Sequence, residues 1–205
     1  MGYTTDFTGS LKLSGNLTIE QFEYINNLND TRRMKRNVDV LMELHKGKFG
    51  LPGTNAKDNT PNEIYGLEGE YFVGGGGYGG QDRDDSILDY NQAPGHLSYD
   101  FDNFTEGFTE NNRRIKEGLC QPGLWLGWRL QKNDDEVILV WDGGEKFYHY
   151  VEWLQYLITH FFDKWGVKLN GVIEWVGEDS EDRGRIRVED SVIHVGYFEG
   201  SYVER

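Results

Sequence analysis

This sequence predicts an α+β fold in which an antiparallel sheet carries helices on one face. Three observations lead there. Alternating or apolar strand segments open and close the chain. Two helical patterns stand between them. The order strand, helix, paired strands, long helix, three strands is that of a ferredoxin-like split β-α-β core with extra C-terminal strands. The 205 residues suit a single domain, 1–205, able to bury a core without staples.

Residues 7–13, FTGSLKL, read as the first strand. Thr18 then caps a helix, with Gln21 completing a capping box and Leu17 and Phe22 forming a hydrophobic staple. Ile19, Phe22, Ile25 and Leu28 follow at helical spacing. A second helix is expected over 33–46, with Met34, Val38, Leu41 and Leu44 to one side. Segment 47–120 holds just over half of the glycines and few periodic stretches, so it reads as a long irregular, glycine-rich insertion.

Segments 124–130 and 136–142 form a predicted hairpin across "QKNDD". Asp142 is placed to cap a helix over 144–165, with Glu145 at the capping-box position. Its apolar face runs from Phe147 through Leu154, Leu157, Phe161 and Phe162 to Trp165. Gly166 suits the residue after the helix, with Val167 folding back on Phe162 in a Schellman closure. Three strands end the chain, at 167–177, 185–189 and 192–198.

Composition removes several functions. A formal net charge of −14 gives a surface that repels nucleic-acid phosphates and anionic membranes. Direct nucleic-acid binding is therefore not expected, whereas a basic protein surface is attracted. One cysteine, Cys120, excludes an internal disulfide and suits a reducing compartment. The first residues, MGYTTDFTGS, lack the basic and apolar regions of a secretory signal, and no apolar run approaches the ~18 residues of a membrane span. A soluble, cytoplasmic protein is expected.

The segments "GYTTDFTGS", "TRRMKR", "LDYNQAPG", "QPGLWLGW", "WDGGEKFYHYVEWLQYLI" and "LNGVIEWVGEDSEDRGRIRV" together resemble an uncharacterised family of small proteins of bacteria and their phages. The resemblance covers most of the chain outside about 96–118. It implies an intracellular, phage-related protein, and it brings neither an activity nor a catalytic residue.

The run "VGGGGYGGQDRDD" matches a G-x-G-x-x-G spacing at Gly75, Gly77 and Gly80, but a glycine run matches almost any such spacing. Arg83 is outnumbered by Asp82, Asp84 and Asp85, which is wrong for a polyanion cradle without a cation. A loop shaped by its glycines is the expectation. The carboxylates match no EF-hand loop, and the five histidines form no HExxH, so no metal is expected. No G-x-S-x-G elbow appears, and no cofactor is expected.

The far face of the long helix is the most informative pattern. His149, Glu152, Trp153, Tyr156 and His160 line up opposite the core stripe. Two aromatic residues on a polar face are expected either to lie under the insertion or to anchor a partner. The function expected first is an acidic binding protein that recognises a basic surface of a host protein, with inhibition of a nucleic-acid-handling or defence system as one concrete form. The alternative is a binder of a nucleotide-type small molecule, or a small enzyme, with its pocket between the glycine-rich loop and the long helix. There Gly75 and Gly77 would shape the loop, Arg32, Arg33 or Arg83 would hold an anion, and Asp84, Asp85 or His149 would supply polar groups. A concave pocket where residues 74–90 meet 149–160 favours this alternative; a flat acidic or aromatic surface favours protein recognition.

Overall fold

The structure is a computed structural model, and it describes residues 3–30, 32–37, 40, 43, 85, 87–91, 93, 113–133 and 136–197. Eight strands and two α-helices have their full bounds in these residues: β1 (Thr5–Ser14), α1 (Ile19–Asn29), β2 (Lys35–Arg36), β3 (Ile87–Asp89), β4 (Trp128–Asn133), β5 (Glu136–Trp141), α2 (Tyr150–Leu157), β6 (Lys168–Gly177), β7 (Arg183–Glu189) and β8 (Val192–Tyr197); residues 113–116 are helical as well. A π-helical turn, Ile158–Phe162, continues α2. The six long strands form one sheet in the order β4-β5-β1-β6-β7-β8, every neighbouring pair antiparallel. The fold class is α+β, as the pattern of elements predicts.

Burial follows the strand period. In β7, Gly184, Ile186 and Val188 are buried while Arg183, Arg185, Arg187 and Glu189 are exposed, the alternation of a sheet covered on one face. The buried face also carries Leu11, Leu13, Leu139, Leu169, Ile173 and Trp175, which meet Leu154, Leu157, Phe161 and Phe162 from the helical segment in one core. Each such side chain contributes roughly 1.5–3 kcal/mol on burial.

The first helix forms as its capping box requires. Gln21 N–H donates to Thr18 Oγ1 at 3.1 Å, and Thr18 N–H donates to Gln21 Oε1 at 2.9 Å. Its buried side is Tyr24, Ile25, Leu28 and Asn29, whereas Ile19 in the first turn is 72% exposed. Asn26 reaches from this helix to the sheet. Its side-chain amide donates to Leu130 O at 3.1 Å and accepts from Leu130 N–H at 2.8 Å. That pair of bonds caps the free edge of β4, which otherwise presents unpaired backbone groups.

Two predicted helices start later than expected. Lys35–Arg36 pairs with Ile87–Asp89 as a small second sheet, so no helix begins at 33. Asn37 Oδ1 instead accepts from Val40 N–H at 3.2 Å, an N-cap contact, and Val40 and Glu43 are helical. The rest of that helix, and most of the expected insertion, lie outside the described residues. The long helix begins at Tyr150 rather than 144. Gly143 (φ 83), Lys146 (φ 61) and His149 (φ 57) are all left-handed, which breaks helical continuity. Its far end closes as expected: Gly166 has φ 69, Val167 N–H donates to Phe162 O at 2.8 Å, and Gly166 N–H donates to Asp163 O at 3.1 Å.

Strand β4 begins at Trp128 and not at 124. The backbone before it bonds elsewhere: Leu124 O accepts from Arg33 N–H at 3.0 Å and Gly127 O from Asp142 N–H at 3.0 Å. Replacing Asn26 with Ala removes both bonds to β4 and leaves part-buried groups unsatisfied. The expected cost is about 2 kcal/mol, against about 1 kcal/mol for Thr18→Ala at the helix cap. Urea denaturation of the two variants measures the order.

Candidate functional site

Loop 142–149, WDGGEKFYH without its leading tryptophan, builds the site. Asp142 holds its start: Oδ1 accepts from Gly144 N–H at 2.7 Å, and Oδ2 accepts from the Asn29 amide at 2.6 Å. The same Asn29 amide donates to Leu126 O at 2.7 Å, so the end of α1 ties both walls together. Phe147 then turns inward. It is 6% exposed, and its ring stands edge-on to Trp128 at 5.1 Å and to Phe7 at 5.9 Å. A Cβ on Gly127 would lie 2.5 Å from that ring, so only glycine lets the two segments meet. Beyond Phe147, Tyr148 accepts a bond from Tyr3 N–H at 3.2 Å, and His149 forms the N-cap of α2 without a side-chain capping bond.

Between this loop, segment 122–127 and the first turn of α2 lies a cavity of about 690 Å³. That is within the range of small-molecule sites, about 300–1,000 Å³. Phe147, Leu126 and Trp125 give it apolar walls, Trp153 forms part of the lining from α2, and Asn91 and Ala93 border it. The polar side chains around it are Asn29, Asp142, Glu145, Lys146 and His149. Two of the loop residues, Lys146 and His149, are left-handed without being glycine, a conformation that costs on the order of 1–3 kcal/mol each and gathers at binding sites.

The residues expected on the far face of the helix separate into different roles. Trp153 and Tyr156 are 1% and 0% exposed and offer no aromatic surface to a partner. Both belong to the hydrophobic core. Gly118 packs so closely on the helix that a Cβ there would lie 2.8 Å from Gln155 O and Thr159 Oγ1. His149 is exposed at the cavity, and Glu152 is half-buried in the first turn of α2. His149 and Glu152 stand three positions apart, but no hydrogen bond joins them.

The arginines are engaged away from the cavity. Arg32 donates to Tyr90 O at 2.9 Å and lies over the Tyr90 ring at 4.2 Å. Arg33 is 3% exposed, and Gln121 contacts its backbone carbonyl at 3.4 Å. Neither lines the cavity, so neither holds an anion in it. Of the run 31–36, Arg32 contacts the 87–91 segment through a carbonyl and a ring. Asp85 is exposed in a turn. Gly75, Gly77, Arg83 and Asp84 lie outside the described residues. Among the described residues no three His, Cys, Asp or Glu side chains are grouped to hold a metal. Cys120 is buried, with 1% exposure. No described helix is long and apolar enough to cross a membrane.

No protein-family model matches this chain, and neither a curated protein nor a solved structure does.

His160, also expected at a partner surface, is half-buried in the π turn. Its ring stacks on Tyr156 at 4.5 Å. Burial pushes its imidazole down to about 4; a hydrogen bond to the Gly118 backbone opposes this, and the charges of Lys164 and Arg33 add to it. The unfolded ring takes up a proton near pH 6.5, whereas the folded one stays neutral to about pH 4. Stability from this group is therefore complete above pH 6.5 and falls by about 1.4 kcal/mol per unit below it, until about pH 4. Relative to His160→Asn, the wild-type protein should lose on the order of 3 kcal/mol across that window. Denaturation of both proteins at a series of pH values tests this; parallel curves would mean the ring is not held neutral.

Proposed function

We propose that the protein binds a small molecule in the cavity between 122–127 and loop 142–149. The cavity itself carries this reading: it is concave, apolar-walled and edged by a few polar side chains at the start of the long helix. The cavity shares His149 and Trp153 with the pocket expected where 74–90 meet 149–160, but segment 122–127 and loop 142–149 form its walls, and residues 74–84 lie outside the described residues. A nucleotide held through its phosphates fits poorly. Lys146 faces Asp142 and Glu145 there, and both Arg32 and Arg33 are used elsewhere.

The scaffold is read as a ferredoxin-like core with two added strands. The order β4-β5-β1-β6, with helical segments after β1 and after β5, supports that reading. Segment 47–120 is read as an insertion into it. Recognition of a basic host-protein surface keeps the support of the −14 charge, but it no longer has Trp153 and Tyr156 as anchors.

Thermal unfolding against a panel of nucleosides, aromatic amides, nucleotides and divalent ions tests the proposal. A ligand at 100 times its Kd adds roughly 2.7 kcal/mol, and each kcal/mol moves Tm by about 2–4 °C at this size. Gly123→Leu supplies the control. A Cβ at Gly123 meets only Trp153 Nε1, at 3.9 Å, so the side chain grows into the cavity without striking backbone. A saturable shift that Gly123→Leu abolishes is expected. Shifts that survive Gly123→Leu, or none across the panel, would leave recognition of a protein as the better reading.

A further inference from the structure

We infer that the cavity takes an uncharged planar ring carrying an amide or lactam group, whose carbonyl accepts a hydrogen bond from the Trp153 indole N–H. This rests on the small-molecule reading above. Trp153 is 1% exposed and lines the cavity, and among the described residues its Nε1–H has no hydrogen-bond acceptor. An indole nitrogen is a donor only, and the Trp153 nitrogen, unlike the sealed Trp141 Nε1, is open to the cavity, where a ligand acceptor can reach it. Two other core tryptophans are satisfied: Trp128 Nε1 donates to Tyr150 O at 3.0 Å, and Trp175 Nε1 approaches Asp182 Oδ1 at 3.4 Å. Trp141 Nε1 is also unbonded, but Trp141 is not part of this cavity.

The surroundings of that donor define the ligand further. Position 123 faces Nε1, and as a glycine it places no side chain over the N–H. Phe147, Leu126 and Trp125 form flat apolar walls, which suit a ring. Asp142 and Glu145 outnumber Lys146 around the cavity, which disfavours an anion. Asp142 spends one lone pair of each oxygen on Gly144 and Asn29, so further acceptor capacity remains for a ligand N–H. An amide or lactam presents an acceptor and a donor side by side without charge. A carboxylate lacks the donor and carries the wrong charge; an amine lacks the acceptor.

Three probes of one size separate these terms: benzamide, benzoate and benzylamine, titrated by calorimetry and by the indole proton resonances of the tryptophans. Benzamide should bind at least about tenfold more tightly than the other two, and one indole proton should move downfield on saturation. Trp153→Phe keeps a ring and removes the donor; it should weaken benzamide about tenfold and lose the responding resonance. If Trp153→Phe does not fold, the wild-type indole shift, and its loss in Gly123→Leu, decide the matter. Equal binding by the three probes, or benzamide binding with no indole shift, overturns the inference while the pocket reading stands. Failure of the probes beside success of other panel ligands does the same. Failure of every ligand overturns the pocket reading itself.

Discussion

The contact between Phe147 and Gly127 governs the functional half of this molecule. A Phe ring sits where a Cβ would be 2.5 Å away, and it is held edge-on by Trp128 and Phe7. Burying that ring contributes roughly 1.5–3 kcal/mol, and each favourable aromatic pair adds about 0.5–1.5 kcal/mol. Those gains are of the size needed to hold Lys146 and His149 in left-handed backbone, at about 1–3 kcal/mol each. With Phe147 pinned inward, loop 142–149 cannot continue as helix. The start of α2 at Tyr150, the wall of the cavity and the strain beside it share this one cause.

A second close approach secures the other side of the helix. Gly118, at φ 69, lets segment 113–118 press against Gln155 and Thr159. Directly beyond that contact the helix widens: Asp163 N–H donates to Ile158 O at 3.0 Å, a bond across five residues. The widened turn carries His160, whose ring bonds the Gly118 backbone and stacks on Tyr156. Segment 113–118 and the π turn therefore hold each other, beside the buried Trp153 and Tyr156. A lining residue of the cavity is thus fixed from behind by a contact that is not itself part of it.

The regular elements were legible because their causes are local. Thr18 and Gln21 make a capping box from adjacent backbone, and β7 alternates because one face is wet. The Schellman closure at Gly166 needs only the residues around it. The cavity was not legible, because its causes are distant. Asp142, Gly143, Gly144 and Glu145 look like a helix start, yet Asp142 bonds Asn29, 113 positions away in sequence. Trp153 and Tyr156 looked exposed because segment 113–126 has no period to announce that it packs on a helix. Asn26 and Asn29 read as the frayed end of a helix, and each proves to hold a strand or a loop in place. The aromatic and glycine-rich strings "QPGLWLGW" and "WDGGEKFYH" were the usable signal. Close glycine–ring contact is what such strings make possible.

The charge of the whole chain and the chemistry of the cavity act on different length scales. At physiological ionic strength, exposed charges are screened beyond about 8 Å. The −14 of the chain therefore biases which large surfaces approach, and it contributes little inside a cavity of about 690 Å³. There the choice falls to Asp142, Glu145 and Lys146 at short range and to a donor with no protein partner. A hydrogen-bond donor in a cavity discriminates by leaving the wrong ligand unpaired, which apolar walls alone do not do. Under the proposed small-molecule reading, Trp153 is the group that would separate one ring-shaped ligand from another, and the acidic surface would add no comparable selectivity.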